Sequence, residues 1–93
     1  MTVTQWLPTA VDDLSAIVDY IGERNPAAAR QLADRLLSDA EMLSQLPALY
    51  RPGRVPGTRE FVSHPNYILI YRSVNHTIEI LNVVHSRQQY PNP

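Results

Sequence analysis

The sequence predicts an α+β domain with elements in the order β-α-α-β-β-β, and three observations predict it. Two amphipathic stretches at helical spacing fill residues 9–46. A segment dense in Pro and Gly, residues 47–57, follows them. Three β-favouring runs joined by short turns occupy the rest. An antiparallel helical hairpin packed on a small twisted, mainly antiparallel sheet is the layer arrangement these pieces allow. Ninety-three residues are too few for two independent cores, so residues 1–93 form a single domain.

Val3, Gln5 and Leu7 alternate with Thr4 and Trp6, which predicts a short strand ended by Pro8. Thr9 is the expected N-cap of the first helix, with Asp12 and Asp13 in its first turn, where the helix dipole favours negative charge. Ala10, Leu14, Ile17, Val18 and Ile21 supply its apolar stripe, and Gly22 stops it. Asn25-Pro26 opens the second helix, Asn as cap and Pro at the first helical position. That helix is expected from Pro26 to about Leu46, with Ala29, Leu32, Ala33, Leu36, Ala40 and Leu43 facing inward and Pro47 ending it. The loop that follows carries Tyr50, Arg51 and Arg54. Strands are expected at about Thr58–Val62, Tyr67–Ser73 and Thr77–His85. Tyr67-Ile68-Leu69-Ile70-Tyr71 is apolar on both faces, as a central strand should be.

Composition narrows the function classes. A chain that is 44% hydrophobic with modest charge is globular rather than disordered. No apolar run is long enough to span a membrane. The start, Met1-Thr2-Val3-Thr4, has neither a basic region nor an apolar core, so secretion is not expected. Cysteine is absent, which removes disulfides and thiolate metal sites and makes the cytoplasm the expected compartment. Net charge is uneven: seven carboxylates against three arginines give −4 over residues 1–49, and five arginines against two carboxylates give +3 over residues 50–93. Lysine is absent. Arginine's rigid fork suits carboxylate or phosphate recognition; a codon bias towards arginine accounts for the same absence equally well.

Several chemistries find no support. His64, His76 and His85 lie on different strands or turns, so neither a metal nor another cofactor is expected. Ser86 adjoins His85 and points to the opposite face, which rules out a triad there. Phosphate-binding glycine loops are missing. Strict alternation along the last strand puts Glu79, Leu81, Val83, His85 and Arg87 on one face, with Ile78, Ile80, Asn82, Val84 and Ser86 on the other. His85 and Arg87 then emerge together where the apolar stripe runs out, either as a solvated edge or as a functional face.

The run GRVPGTREFVSHPNYILIYR followed by ILNVVHSRQQYP resembles the RelE/ParE superfamily of type II toxins, in its ParE-type branch. Trp6, Asp12-Asp13-Leu14, Tyr20-Ile21 and Asn25-Pro26-Ala27-Ala28 fit the same pattern, so the resemblance covers essentially the whole chain. It implies a growth-inhibiting toxin neutralised by a cognate antitoxin. RelE-type members cut messenger RNA on the ribosome, whereas ParE-type members are associated with poisoning DNA gyrase. RNA cleavage needs a base, positioned cations and an acid. On this resemblance Arg59, His85, Arg87 and Tyr90 match a ribonuclease constellation, but Phe61 and Ile68 stand where two cations are expected.

The resemblance therefore implies a protein that acts by binding rather than by its own chemistry. Its target-binding residues are Arg59, Arg72, His85, Arg87 and Tyr90, with Arg51 and Arg54 as secondary candidates. The partners it implies are an acidic antitoxin, forming a hetero-oligomer with the toxin, and DNA gyrase. No membrane and no sequence-specific nucleic acid contact are expected. The alternatives are a ribosome-dependent messenger-RNA endoribonuclease, and a non-toxic remnant or co-repressor.

Overall fold

The computed structural model describes residues 2–45 and 51–91. Its elements run β1 (Val3–Trp6), α1 (Pro8–Gly22), α2 (Pro26–Leu43), β2 (Arg59–His64), β3 (Tyr67–Val74) and β4 (Thr77–His85). The four strands form one sheet in the order β1-β4-β3-β2. β2, β3 and β4 are antiparallel neighbours, and β1 lies parallel to β4. This is the α+β order expected from the sequence.

Both helices cover one face of the sheet. Beneath them Leu69, Tyr71, Ile78, Ile80 and Val83 pack with Ala10, Leu32, Leu36, Ala40 and Leu43. These side chains are essentially removed from water, and each Leu or Ile so buried contributes roughly 1.5–3 kcal/mol. α2 is tied to both outer strands: Thr4 Oγ1 donates to the Ala40 carbonyl at 3.2 Å, and Ser63 Oγ donates to Asp39 Oδ2. Ala29 is buried at the turn of the hairpin, where a Cβ on Gly22 would lie 3.7 Å from its own.

Three local expectations change. α1 begins at Pro8, not after Thr9; Leu7 is its N-cap and makes no side-chain cap bond. Proline's fixed φ and missing N–H suit that first position, so Asp12 and Asp13 fall beyond the first turn. α2 ends at Leu43, with Ser44 as C-cap. The expected end at Leu46-Pro47 and the loop residue Tyr50 lie outside the described residues. The Asn25 cap holds, its side chain accepting the Ala28 N–H at 3.1 Å.

The third change concerns the faces of β4. Ile70 pairs with Asn82 but Tyr71 pairs with Ile80, so Leu81 is an extra, unpaired residue. A bulge of this kind shifts the alternation by one. Ile78, Ile80 and Val83 therefore share the helix side, while Leu81 and Val84 join Ile68, Ile70 and Tyr90 on the other. The strict period-two assignment of Leu81 and Val83 to one face is overturned.

The bulge sits where β1 ends. Leu7 N–H makes the last backbone bond on that edge, to the Ile80 carbonyl at 3.0 Å. Beyond it, side chains replace the missing strand. Thr9 Oγ1 donates to the Leu81 carbonyl at 2.6 Å, Asp13 Oδ2 accepts Val83 N–H at 3.0 Å, and Gln88 Oε1 accepts His85 N–H at 3.1 Å. An edge closed in this way is no longer a template for strand addition.

At the β2 edge, residues 51–58 turn back on the strand: Pro52 bridges Arg59, Glu60 N–H donates to the Arg51 carbonyl at 3.1 Å, and Gly53 N–H donates to the Thr58 carbonyl at 2.7 Å. Glu60 is 4% exposed and anchors them. Its carboxylate accepts from Arg51 Nη2 at 2.9 Å and from the Arg54 backbone N–H at 3.0 Å, with Arg54 Nε at 3.1 Å. Among the described residues no helix is long and apolar enough to cross a membrane.

Candidate functional site

The ends of three strands meet where β3 begins. Tyr67 is paired with His64 on β2 and with His85 on β4. Their rings form a short ladder. His64 and Tyr67 have centroids 5.9 Å apart, and Tyr67 meets His85 nearly edge-on at 5.4 Å. Each histidine accepts a backbone N–H through Nδ1: Asn66 donates to His64 and Arg87 donates to His85, both at 3.1 Å. A neutral imidazole accepting at Nδ1 carries its proton on Nε2. Both rings are thus oriented by the turn that follows them.

The residues expected to form one face do not all converge. Arg87 is exposed in the turn just after His85, so these two remain neighbours. Arg59 is paired with Tyr71, four residues along β3 from Tyr67, which places it about 13 Å from the ladder at the usual strand rise. Arg72 lies farther still. It pairs with Glu79, and its Nε meets Glu79 Oε1 at 2.6 Å. Tyr90 sits on the face away from the helices, against the cluster of Ile68, Ile70 and Val84, with its hydroxyl donating to Asn82 Oδ1 at 3.0 Å. Arg51 and Arg54 are engaged by Glu60.

The two positions where cations were expected fall on opposite faces as well. Phe61 packs on the helix side and Ile68, 3% exposed, belongs to the cluster on the other side. Phe61 and Ile68 are parts of two separate apolar clusters rather than two gaps in one site.

The electrostatics centre on Tyr90 and Asp13. Partial burial raises the Tyr90 phenol above the ordinary 10.0, Asp13 and Glu60 push the same way, and Arg54 opposes them. Asp13 Oδ2 accepts from Asn82 Nδ2 at 2.9 Å as well as from Val83 N–H. Tyr90, Asn82 and Asp13 therefore form one hydrogen-bonded chain through β4, from the tail on one face to α1 on the other.

Sequence reasoning missed this chain. It also missed a cleft of about 270 Å³ between α1 and the ladder. Asp13, Ala16, Ile17 and Tyr20 form one wall, and Tyr67 and His85 stand on the other. The signal was present in the spacing i, i+3, i+4, i+7 along α1, which puts those four residues on one stripe. Among the described residues no three His, Asp or Glu side chains are placed to hold a metal ion.

The model of the ParE toxin of the type II toxin–antitoxin system parDE matches residues 4–90. The chain belongs to this family. Among its relatives, protein Y4kP of Sinorhizobium fredii is 38% identical over 88 residues, covering 94% of this chain and 91% of that protein. Toxin RelE2 of Caulobacter vibrioides is 34% identical over 86 residues, covering 92% and 97%. The chromosomal ParDE system of P. aeruginosa contains a chain of the same fold, with a TM-score of 0.80 and 25% identity over 91% of this chain and 95% of that one. The RelBE2 toxin–antitoxin complex of Mycobacterium tuberculosis shares the fold at a TM-score of 0.66 and 24% identity, covering 90% and 96%. In this ParE-family toxin, the bulge at Leu81 sets which β4 side chains face the helices, and Asp13 borders the cleft.

Proposed function

We propose that this ParE-family toxin inhibits growth by binding DNA gyrase in the cytoplasm, and that a cognate antitoxin neutralises it. The carrying observation is the separation of His85 from Tyr90. His85 faces the helix-side cleft, and the Tyr90 hydroxyl is bonded to Asn82 on the other side of the sheet. A general base and a general acid acting on one phosphodiester must reach atoms a few ångströms apart. With Arg59 about 13 Å along the sheet and the Ile68 position apolar, the arrangement favours binding over RNA cleavage.

Within this reading the target-binding residues are Arg87 and His85 at the strand end, with Arg59, Arg72 and Tyr90 making outlying contacts. Hydrogen bonding and charge complementarity are their roles. The antitoxin reading draws support from two structural neighbours that come from toxin–antitoxin systems.

Supercoiling by purified gyrase, measured with the toxin and with its Arg87→Ala variant, tests the proposal. Inhibition by the parent toxin, weakened by the substitution, is the expected result. Unimpeded supercoiling together with newly cut transcripts in induced cells would overturn it in favour of a ribonuclease.

A further inference from the structure

The cleft between α1 and the His85 end of the sheet shares His85 with the toxin reading, but the chemistry of its α1 wall is not used there. Ile17 and Val83 make part of its lining apolar. Ala16 is the smallest side chain in the lining, and it opens the hollow between larger neighbours one turn either side. Three rings border the space: Tyr20, Tyr67 and His85.

One carboxylate, Asp13, stands at its α1 wall. Oδ2 of Asp13 accepts both the Asn82 amide and the Val83 N–H, so the carboxylate is held in place, and among the described residues no donor meets Oδ1. α1 carries Asp12, Asp13 and Asp19 and no arginine or lysine. Neither arginine nor lysine lines the cleft, whose one nitrogen base is the His85 imidazole.

A fixed carboxylate among aromatic rings favours a cation and disfavours an anion. The protein already uses one of these rings in that way: Arg24 lies 5.5 Å from the centroid of Tyr20, and it is not part of the cleft lining. The volume is below the range typical of sites for whole metabolites and suits one side chain.

We infer that this cleft is a docking pocket for a single arginine or lysine side chain of a protein partner, gripped by Asp13 and flanked by Tyr20 and Tyr67. The partner surface that meets α1 is therefore basic at this point, complementary to the net negative first half of the chain. The inference stands on the cleft alone and does not depend on gyrase being the target.

Titration of the isotopically labelled toxin with N-acetyl-arginine amide, followed by amide chemical shifts, tests it. The expected result is saturable shifts confined to Asp13, Ala16, Tyr20, Tyr67 and His85, with capped citrulline binding at least about fivefold more weakly, the loss of one partly exposed ion pair. Asp13→Asn keeps an acceptor for Val83 and Asn82 but removes the charge, and should weaken arginine binding by a similar factor. Ala16→Leu fills the hollow while leaving the Asp13 charge in place and should abolish the shifts. Equal binding of citrulline, shifts elsewhere on the surface, or no shift up to the solubility limit of the probe would each overturn the proposal. None of these outcomes bears on supercoiling by gyrase, so the two readings fail independently.

Discussion

Asp13 on α1 accepts the backbone N–H of Val83 on β4, seventy residues later in the chain, at 3.0 Å. The bond falls just past the end of β1, where the edge of β4 would otherwise be open. The same oxygen also takes the Asn82 amide. A carboxylate on a helix thus substitutes for a strand and locks the helix to the sheet beside the candidate site.

Replacing Asp13 by Ala should destabilise the domain by about 1–3 kcal/mol, because it leaves two partly buried donors without acceptors. Asp13→Asn should retain most of the stability, since its amide oxygen can accept both bonds. Chemical denaturation of the two variants checks the difference. Equal losses would show that charge, not acceptor geometry, holds α1 to β4.

Glu60 gathers residues 51–58 onto the sheet through Arg51 and Arg54. Glu60→Gln should cost about 1–3 kcal/mol through the loss of charge-assisted bonds. Hydrogen exchange at residues 51–58 should rise sharply while β3 stays protected. Because the carboxylate is 4% exposed, added salt should screen the interaction far less than it screens the exposed Arg35–Asp39 pair.

Gly53 cannot accept a side chain in its present position. A Cβ there would lie 2.1 Å from Thr58 Oγ1 and 3.1 Å from the Thr58 carbonyl carbon. The loop must therefore open and break the Gly53 N–H bond to the Thr58 carbonyl, at 2.7 Å. Gly53→Ala should destabilise by about 1–3 kcal/mol. Adding Thr58→Ala, which deletes the worst contact, should recover part of the loss in thermal melts.

Tyr90 sets an alkaline limit. Its phenol is raised above 10.0 in the fold by burial, then by Asp13 and Glu60. The folded state therefore favours the neutral form. Its contribution is fully present below the unfolded value and is lost as pH rises through the folded one. Unfolding curves collected upward from pH 10.0 should show a steeper loss for the parent than for Tyr90→Phe. Parallel curves would mean that the Tyr90–Asn82 bond contributes nothing to this dependence.

Much of the architecture was legible without coordinates. Helical spacing from Ala10 to Leu43, the Asn25-Pro26 start and the apolar run Tyr67–Tyr71 each act over a few residues. Local chemistry of that range is what periodicity reports. The candidate site was legible only as a pair, His85 with Arg87, because both lie at the end of one strand. Arg59, Arg72 and Tyr90 looked like companions, yet strand pairing put them far along the sheet or on its other face.

The sequence by itself determined the element order, the family pattern and the uneven charge, since all are properties of neighbouring residues or of composition. Only the tertiary structure decided which face each β4 side chain occupies, because the extra residue at Leu81 follows from pairing with Ile70 and Tyr71 rather than from any local preference. It also decided that Asp13 closes a sheet edge and borders a cleft. A helix stripe becomes a wall only when a second element is laid against it, and that contact is absent from any short stretch of chain.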